Sequence, residues 1–238
     1  MGILSNIKGY LNLCRITNLP TVWTNVICAY ILGAGQFSWK GYLLPALSLS
    51  LFYVAGMCLN DICDATHDRI ARPSRPIPSG NVSPKGALFL AITLFAAGAA
   101  LLLSAPYREG FHAAILLIAV IIWYDISHKR NPFSVLLMAS CRFLVFVVTS
   151  LAVTGTLTSI LLIAAGIQFV YVVCISLVAR YENNRATPFT IPVIPMMLAG
   201  ISLLDGIILT VVVNPIWLLV GFGGAILTQA GQKYVRGD

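Results

Sequence analysis

The chain alternates long apolar runs with short polar segments. Most of the apolar runs approach the ~20 residues that an α-helix needs to cross ~30 Å of hydrocarbon. They cover residues 19–36, 42–59, 86–105, 111–126, 134–154, 157–178, 190–213 and 215–230. The runs do not show the alternating pattern of a membrane barrel, so helices are the expected spanning elements. The pattern predicts an all-α, multi-pass transmembrane helical bundle of about eight spans, forming a single domain over residues 1–238.

Composition agrees with the membrane as the solvent of this chain. Of the 238 residues, 58% are hydrophobic and only 10% are charged, whereas a soluble domain carries about 25% charged residues. The net charge is +7. The basic residues are spread between the apolar runs rather than gathered in an arm or patch, which argues against nucleic acid as a partner.

The distribution of Lys and Arg predicts the orientation. With the N-terminus in the cytoplasm, twelve of the fifteen basic residues fall in cytoplasmic segments, two (Lys40 and Arg108) fall in outer loops, and Arg142 lies within a span. This asymmetry is typical of membrane proteins. We therefore expect both termini in the cytoplasm, together with two long polar loops at about 60–85 and 180–190.

The few acidic residues are concentrated in one place. Three of the eight, Asp61, Asp64 and Asp68, fall within eight positions, and Asn60 precedes them. On a helix, Asn60, Asp64 and Asp68 would lie within an arc of about 80°, with Asp61 close to the same face. Carboxylates this close repel one another unless a cation neutralises them. Hard oxygen ligands indicate Mg²⁺, which commonly joins one or two carboxylates to substrate phosphates.

Arginines and prolines follow the acidic cluster directly. The segment Arg72-Pro-Ser-Arg75-Pro-Ile-Pro-Ser-Gly80 is held extended by its prolines. Arginine presents a planar fork suited to phosphate oxygens. Carboxylates for a metal followed by arginines for phosphate indicate a diphosphate site, and the alternative is a solvated loop whose acids and bases pair.

The stretch from Asn60 to Gly80 resembles the first motif of the UbiA superfamily of membrane prenyltransferases. It reads NDICDATHD and then RPSRPIPSG, which is similar to the family pattern NDxxDxxxD followed by RPxRPxPSG-like residues. The resemblance implies an all-α bundle around a central cavity. It also implies Mg²⁺-dependent transfer of a prenyl group from an isoprenyl diphosphate to an aromatic or other lipophilic acceptor within the lipid.

The resemblance also implies roles for particular residues. Asn60, Asp64 and Asp68 would hold Mg²⁺ with Asp61 nearby, and Arg72 and Arg75 would contact the diphosphate. Other expected contacts come from a Tyr and a Lys in the loop after the fourth span, here Tyr124 and Lys129, and from Asn25 in the first span. The catalytic candidates are Asp64, Asp68, Lys129 and Glu182.

Two departures from the family pattern stand out. The family has about nine spans, and this chain has room for eight. The second aspartate-rich motif is expected after the sixth span, where the chain reads Arg-Tyr-Glu-Asn-Asn-Arg over residues 180–185, with Glu182 as its one acid and metal candidate. Some divergent members have atypical second motifs, and the Cys141–Arg142 pair is similar to the EboC-like branch.

The altered second motif leaves two other functions open. One is a non-catalytic prenyl-diphosphate or lipid-binding or transport protein on the same scaffold. The other is a cyclase that ionises the diphosphate without an external acceptor. The oligomeric state stays open.

Several isolated polar residues carry weaker hypotheses. Arg142 and Asp205 lie within spans, where charge is costly unless it faces a cavity or a partner. Asp125 and Glu182 are candidates for the base that takes the acceptor proton. We expect His67 to be a loop residue rather than a ligand, and His128 to lie at the membrane interface.

Overall fold

The structure is a bundle of long helices. A computed structural model describes residues 9–129, 131, 133–183 and 191–233. Residues 9–13 are helical, and a short 3-10 helix over Ile16–Asn18 then leads into the first of eight longer α-helices. The helices are α1 Leu19–Ala34, α2 Trp39–Ala71, α3 Pro84–Leu102, α4 Glu109–Ser127, α5 Ser134–Thr154, α6 Ser159–Asn183, α7 Val193–Val212 and α8 Trp217–Gln232. The all-α prediction is confirmed, and each predicted apolar run corresponds to one helix.

Six of these helices, α2 to α7, are long and apolar enough to cross a membrane. The other two, α1 and α8, have 16 residues each, which gives a length of about 24 Å. The chain therefore has the helices of an integral, multi-pass membrane protein. Six candidate spans are established by length among the described residues, fewer than the eight expected from the apolar runs.

Successive helices run in opposite directions because short connections join them. The end of the bundle that carries Asn60–Gly80, called here the motif end, holds the starts of α1, α3, α5 and α7 and the ends of the other four helices. Side-chain contacts across this end confirm the arrangement. Arg180 near the end of α6 donates to Ser134 at the start of α5, at 2.9 Å, and Gln232 at the end of α8 donates to Asn18 before α1, at 3.2 Å.

Helix α1, which has 16 residues, lies at the centre of the bundle. It packs against α2, α5, α6, α7 and α8. Val22 and Val26 join one apolar core with α2, α4 and α5, and Ala29 and Ile31 join another with α5, α6 and α7. A left-handed Gly35, with φ of 74°, ends the helix. The central position means that polar residues on α1 meet side chains from several other helices.

Helix α2 is longer than its apolar run. It has 33 residues and spans about 50 Å, so the expected loop over 60–85 is wrong for its first part. The whole acidic cluster and His67 lie on the helix, and the loop begins only at Arg72, the residue before Pro73. A proline disfavours helical conformation in the residue before it, and Arg72 accordingly has φ −144° and ψ 64°.

Helices α7 and α8 approach each other at two glycines. A Cβ built on Gly206 would lie 2.7 Å from the Cα of Gly221. We expect Gly206→Ala to force the helices apart and to lower the free energy of unfolding by about 1–3 kcal/mol. Thermal unfolding in detergent measures this change. Gly166→Ala is the matched control, since a Cβ there meets nothing within 4 Å, and equal stability losses in the two variants would contradict the packing argument.

Candidate functional site

Three carboxylates lie together near the end of α2. Asp61, Asp64 and Asp68 are 4%, 8% and 3% exposed. The helical spacing brings them to one side of α2, as the sequence predicts. Burial of like charges is unfavourable unless cations neutralise them.

The guanidinium of Arg75 lies between the three carboxylates. Its Nη1 atom is 2.5 Å from Asp68 Oδ2, 3.6 Å from Asp61 Oδ1 and 3.8 Å from Asp64 Oδ2. One nitrogen atom of a cationic side chain is thus within 4 Å of an oxygen of each acid. Arg75 therefore contributes to the neutralisation of all three acids.

The proline-rich loop holds Arg75 in this position. Ile77 and Val82 are 7% and 2% exposed, and they pack into an apolar cluster with residues of α2 and α3. A turn with Gly80 at φ 76° reverses the chain between them. Ser83 then caps α3 by accepting a hydrogen bond from the Gly86 amide at 3.0 Å. The loop is anchored on both sides of its turn.

Arg15, which precedes α1, supplies a second cation. Its Nη2 atom donates to Asp61 Oδ1 at 2.9 Å. Arg15 also has a left-handed backbone, with φ 42° and ψ 46°. This conformation is unfavourable for a residue with a Cβ atom, and residues held in this way concentrate at functional sites. Arg15 therefore belongs to the site as well as to the entrance of α1.

Two basic side chains at the end of α4 contact Asp64. Lys129 Nζ lies 2.7 Å and His128 Nε2 lies 3.1 Å from Asp64 Oδ1. The hydrogen bond to Asp64 raises the pKa of His128 above its ordinary value, although burial opposes the shift. The other ring nitrogen, Nδ1, is 3.1 Å from the carbonyl oxygen of Asp125. Both neighbouring atoms are hydrogen-bond acceptors, which favours the protonated form of the ring.

A cavity of about 140 Å³ lies inward of the carboxylates, between α1, α2, α4, α5, α6 and α7. Its wall is mostly apolar and includes Phe52, Leu117, Val145 and Ile175. The polar side chains that line it are Tyr53, Tyr124, Asp125 and Arg142. Its lining, apolar with a few polar groups, is typical of a ligand site, and its volume suits a group about the size of benzene.

Asp125 connects the cavity to the acidic cluster. Its Oδ1 atom accepts a hydrogen bond from Asn60 Nδ2 at 3.1 Å. Its Oδ2 atom is buried and has no hydrogen-bond partner among the described residues. A buried oxygen without a partner is unfavourable, so this atom is available to a group that enters the cavity.

Not all predicted site residues come together. Lys129 reaches Asp64, and Tyr124 lies in the last turn of α4, rather than in the loop after it, with its ring stacked 5.1 Å from that of His128. Arg72 is exposed, and Asn25 lies deeper in the bundle, where it contacts Arg142 and Asp205. Glu182 is half-buried in the last turn of α6, while Asn184 and Arg185 of the second motif lie outside the described residues.

Two histidines and an arginine make contacts that the sequence did not predict. His128, expected at the membrane interface, contacts Asp64. His67, expected in a loop, lies on α2 with an exposed ring 3.9 Å from Asp68. Arg15 was not among the site residues that the resemblance implied. Its position in the sequence, 46 residues before Asp61, gives no sign of the contact.

The donor set fits a divalent cation. The described residues contain no group of three His, Cys, Asp or Glu side chains already arranged to hold a metal, and Arg75 lies between the acids. The three carboxylates that surround Arg75 Nη1 nevertheless offer the hard oxygen atoms that a divalent cation prefers as ligands. Asp61, Asp64 and Asp68 are the residues of α2 that would hold it, with Asn60 adjoining.

Fold and site together define a helical membrane protein with a buried carboxylate–guanidinium site above an apolar cavity. A model of the UbiA prenyltransferase family matches residues 19–231. The chain therefore belongs to the UbiA prenyltransferase family, and the resemblance drawn from Asn60–Gly80 is confirmed. Membership of the EboC-like branch stays a prediction.

Curated relatives include digeranylgeranylglyceryl phosphate synthases of archaea. The enzyme of Saccharolobus solfataricus is 37% identical over 97 residues, which cover 40% of this chain and 34% of the relative. That of Natronomonas pharaonis is 28% identical over 162 residues, which cover 68% of this chain and 58% of the relative. The chain thus spans about a third to somewhat more than half of the length of these relatives.

A solved structure has the same fold. It concerns the biosynthesis of digeranylgeranylglyceryl phosphate synthase in membranes, and it superposes with a TM-score of 0.63 at 19% identity. The match covers 96% of this chain and 87% of the other. The UbiA-like helical architecture is therefore established over nearly the whole chain.

The position of Arg75 predicts how the protein responds to magnesium. Arg75→Gln leaves three buried carboxylates short of one cation, so we expect a stability loss of about 3 kcal/mol in EDTA. Without the Arg75 guanidinium, Mg²⁺ can bind between the three carboxylates. Mg²⁺ should therefore raise the unfolding temperature more in Arg75→Gln than in the wild type. Thermal unfolding in detergent, with and without Mg²⁺, measures both effects.

Arg72→Gln is the matched control because Arg72 is an exposed arginine of the same loop. It should behave like the wild type. If Arg75→Gln and the wild type respond equally to Mg²⁺, the assignment of Arg75 to the cation position is wrong.

Proposed function

We propose that this protein transfers a prenyl group from an isoprenyl diphosphate to a lipophilic acceptor. The observation that carries the proposal is the group of three buried carboxylates with Arg75 between them, placed directly above an apolar cavity. The family relationship supports prenyl transfer. The names of the relatives support a glycerol phosphate lipid, rather than an aromatic compound, as the acceptor.

The proposed role of each residue in binding the metal or the diphosphate follows from its position in the site. Asp61, Asp64 and Asp68 would hold Mg²⁺, which when bound neutralises the diphosphate and favours its departure as a leaving group. Arg75, Lys129 and Arg15 are close enough to exchange a carboxylate for a phosphate oxygen. They would stabilise the negative charge that develops on the leaving diphosphate. Arg72 stays a predicted contact of the diphosphate, and Glu182 stays a predicted metal ligand and catalytic residue.

The cavity would bind the allylic end of the prenyl chain and exclude water. Its apolar wall prevents hydrolysis of the reactive allylic carbon. The ring faces of Tyr53, Phe52 and Tyr124, which line the cavity, can stabilise positive charge on that carbon. The acceptor would enter the same cavity and present its hydroxyl to the carbon from the side opposite the diphosphate.

The excess of Lys and Arg at the motif end supports a cytoplasmic position of this site. Both chain ends would then also lie in the cytoplasm. Labelling of a single introduced cysteine near the exposed Arg72 with a membrane-impermeant reagent would test this orientation in intact cells and in inverted vesicles.

Replacement of the metal-binding acids tests the proposal directly. Asp64→Asn and Asp68→Asn should each lower the rate of prenyl transfer by at least about 100-fold, because each removes one of the anionic oxygens that would bind Mg²⁺. The assay uses purified protein, geranylgeranyl diphosphate, Mg²⁺ and either a monoalkyl glycerol phosphate or an aromatic hydroxy acid. His67→Ala, on the same helix end but exposed, should keep nearly full activity. Wild-type activity in both acid variants would refute the assignment.

A second experiment separates the two candidates for the base. Asp125 lines the cavity and has an unpartnered oxygen, whereas Glu182 lies in the last turn of α6. We expect Asp125→Asn to lower kcat by about 100-fold with little change in KM for the prenyl diphosphate, and Glu182→Gln to have the smaller effect on kcat. The reverse order would assign the proton transfer to Glu182.

The altered second motif supports a non-catalytic binder as the second candidate function. Only Glu182 stands as an acid where the family has an aspartate-rich segment. Saturable, Mg²⁺-dependent binding of geranylgeranyl diphosphate, without turnover of any acceptor, would favour this candidate. Formation of a product from the diphosphate alone would instead indicate a cyclase.

A further inference from the structure

A layer of polar side chains crosses the bundle inward of the carboxylate site, and Arg142 is its cation. This polar layer consists of Thr21, Thr24, Asn25, Arg142, Gln168, Ser202 and Asp205. From the middle of α5, Arg142 donates to two side chains of α1. Its Nη1 atom is 2.8 Å from Asn25 Oδ1, and its Nη2 atom is 2.7 Å from Thr21 Oγ1. Both partners are neutral, so these contacts orient the guanidinium without neutralising it.

The balancing carboxylate, Asp205, lies behind Asn25. It is 1% exposed. Its Oδ2 atom accepts from Asn25 Nδ2 at 2.7 Å, and its Oδ1 atom accepts from Gln168 Nε2 at 2.8 Å. Asp205 does not line the cavity. No direct ion pair joins it to Arg142 in the described part of the chain. The negative charge of Asp205 thus lies away from the cavity, whereas the positive charge of Arg142 faces the cavity.

Arg142 is the cationic side chain among the residues that line the cavity. A guanidinium has five N–H donors, and only two of those of Arg142 make hydrogen bonds within the described residues. If the cavity held hydrocarbon alone, the remaining donors would stay desolvated, which is strongly unfavourable within a membrane. This arrangement indicates that an anionic group enters the cavity.

The depth of Arg142 separates it from the diphosphate. Thr21, its partner on α1, comes six residues after Arg15, the partner of Asp61. Asn25, the other partner of Arg142, lies one turn further along α1, so the guanidinium lies inward of the carboxylate cluster. Asp125 lines the same cavity. A molecule with its anion at Arg142 could present a neighbouring hydroxyl towards Asp125 and the reacting carbon.

We propose that Arg142 forms a second anion subsite, which binds the phosphate of an amphiphilic acceptor and thereby selects phosphate-bearing lipids over neutral ones. Asn25 and Asp205 are positioning residues of this subsite because they hold the guanidinium against α1. The inference rests on the proposed function for the identity of its ligand as an acceptor. The binding of the ligand can be tested without turnover.

The binding experiment compares two amphiphiles that differ only in the phosphate, a monoalkyl glycerol phosphate and the corresponding monoalkyl glycerol. Each is titrated into purified protein in neutral detergent, and the shift in unfolding temperature gives its apparent affinity. We expect the wild type to bind the phosphate lipid about 10- to 100-fold more tightly, as fits the loss of one charge-assisted contact. Arg142→Gln should abolish the preference, and Arg142→Lys should retain part of it.

Ser202→Ala is the matched control for damage to the polar layer. Ser202 accepts a hydrogen bond from Thr24 at 3.2 Å within the same layer, but it does not touch Arg142. This variant should keep the preference for the phosphate lipid. If it loses the preference as Arg142→Gln does, or if Arg142→Gln keeps it, the subsite is not at Arg142.

A further binding measurement distinguishes a site for the acceptor phosphate from a site for the donor diphosphate. With Mg²⁺ present, the affinity for geranylgeranyl diphosphate should change less than about threefold in Arg142→Gln, and it should fall in Arg75→Gln. A larger loss in Arg142→Gln would assign Arg142 to the donor and overturn the proposal. Failure of the wild type to transfer a prenyl group would refute the proposed function alone, because the lipid-binding result stands without turnover.

Discussion

The structure at the motif end is governed by the repulsion among Asp61, Asp64 and Asp68. Three buried carboxylates on consecutive turns of one helix require cations from other parts of the chain. Those cations come from before α1, from the proline-rich loop and from the end of α4. Arg75 contacts all three acids, while Arg15 and Lys129 each contact one. The need for neutralisation thus joins segments that are distant in sequence into one site.

The same interactions are suited to the binding of a diphosphate. Guanidinium and ammonium groups that pair with carboxylates can pair with phosphate oxygens instead. A divalent cation could then take the position of Arg75 among the acids, while the arginine turns towards the phosphate that the cation accompanies. Inward of this point the wall becomes apolar, and Arg142 provides the next positive charge. Two separate positive regions along one cavity match a reaction between two molecules that each carry phosphate.

Much of this structure follows from the sequence, for reasons that are physical. Apolar runs of about 20 residues must form helices in lipid, and the i, i+4, i+8 spacing of Asn60, Asp64 and Asp68 places them on one face of α2. The extension of α2 to Ala71 was missed because residues 60–71 are polar, and hydropathy alone does not show that such a segment continues a helix. Arg72 and Arg75 look alike in sequence, and only the packing of the loop buries one and exposes the other. The contacts of His128 with Asp64 and of Arg142 with Asn25 join residues more than 60 positions apart, so no local pattern could reveal them.

The central claim is that the position of Arg75 Nη1 among the three carboxylates is a cation position of a prenyl-diphosphate site. A structure of the protein with Mn²⁺ and a non-reactive thiolo analogue of geranylgeranyl diphosphate tests it most directly. The account predicts anomalous density for the metal within coordinating distance of Asp64 and Asp68, with the Arg75 guanidinium moved onto a phosphate oxygen. Metal density elsewhere, with Arg75 still paired to Asp68, would contradict it.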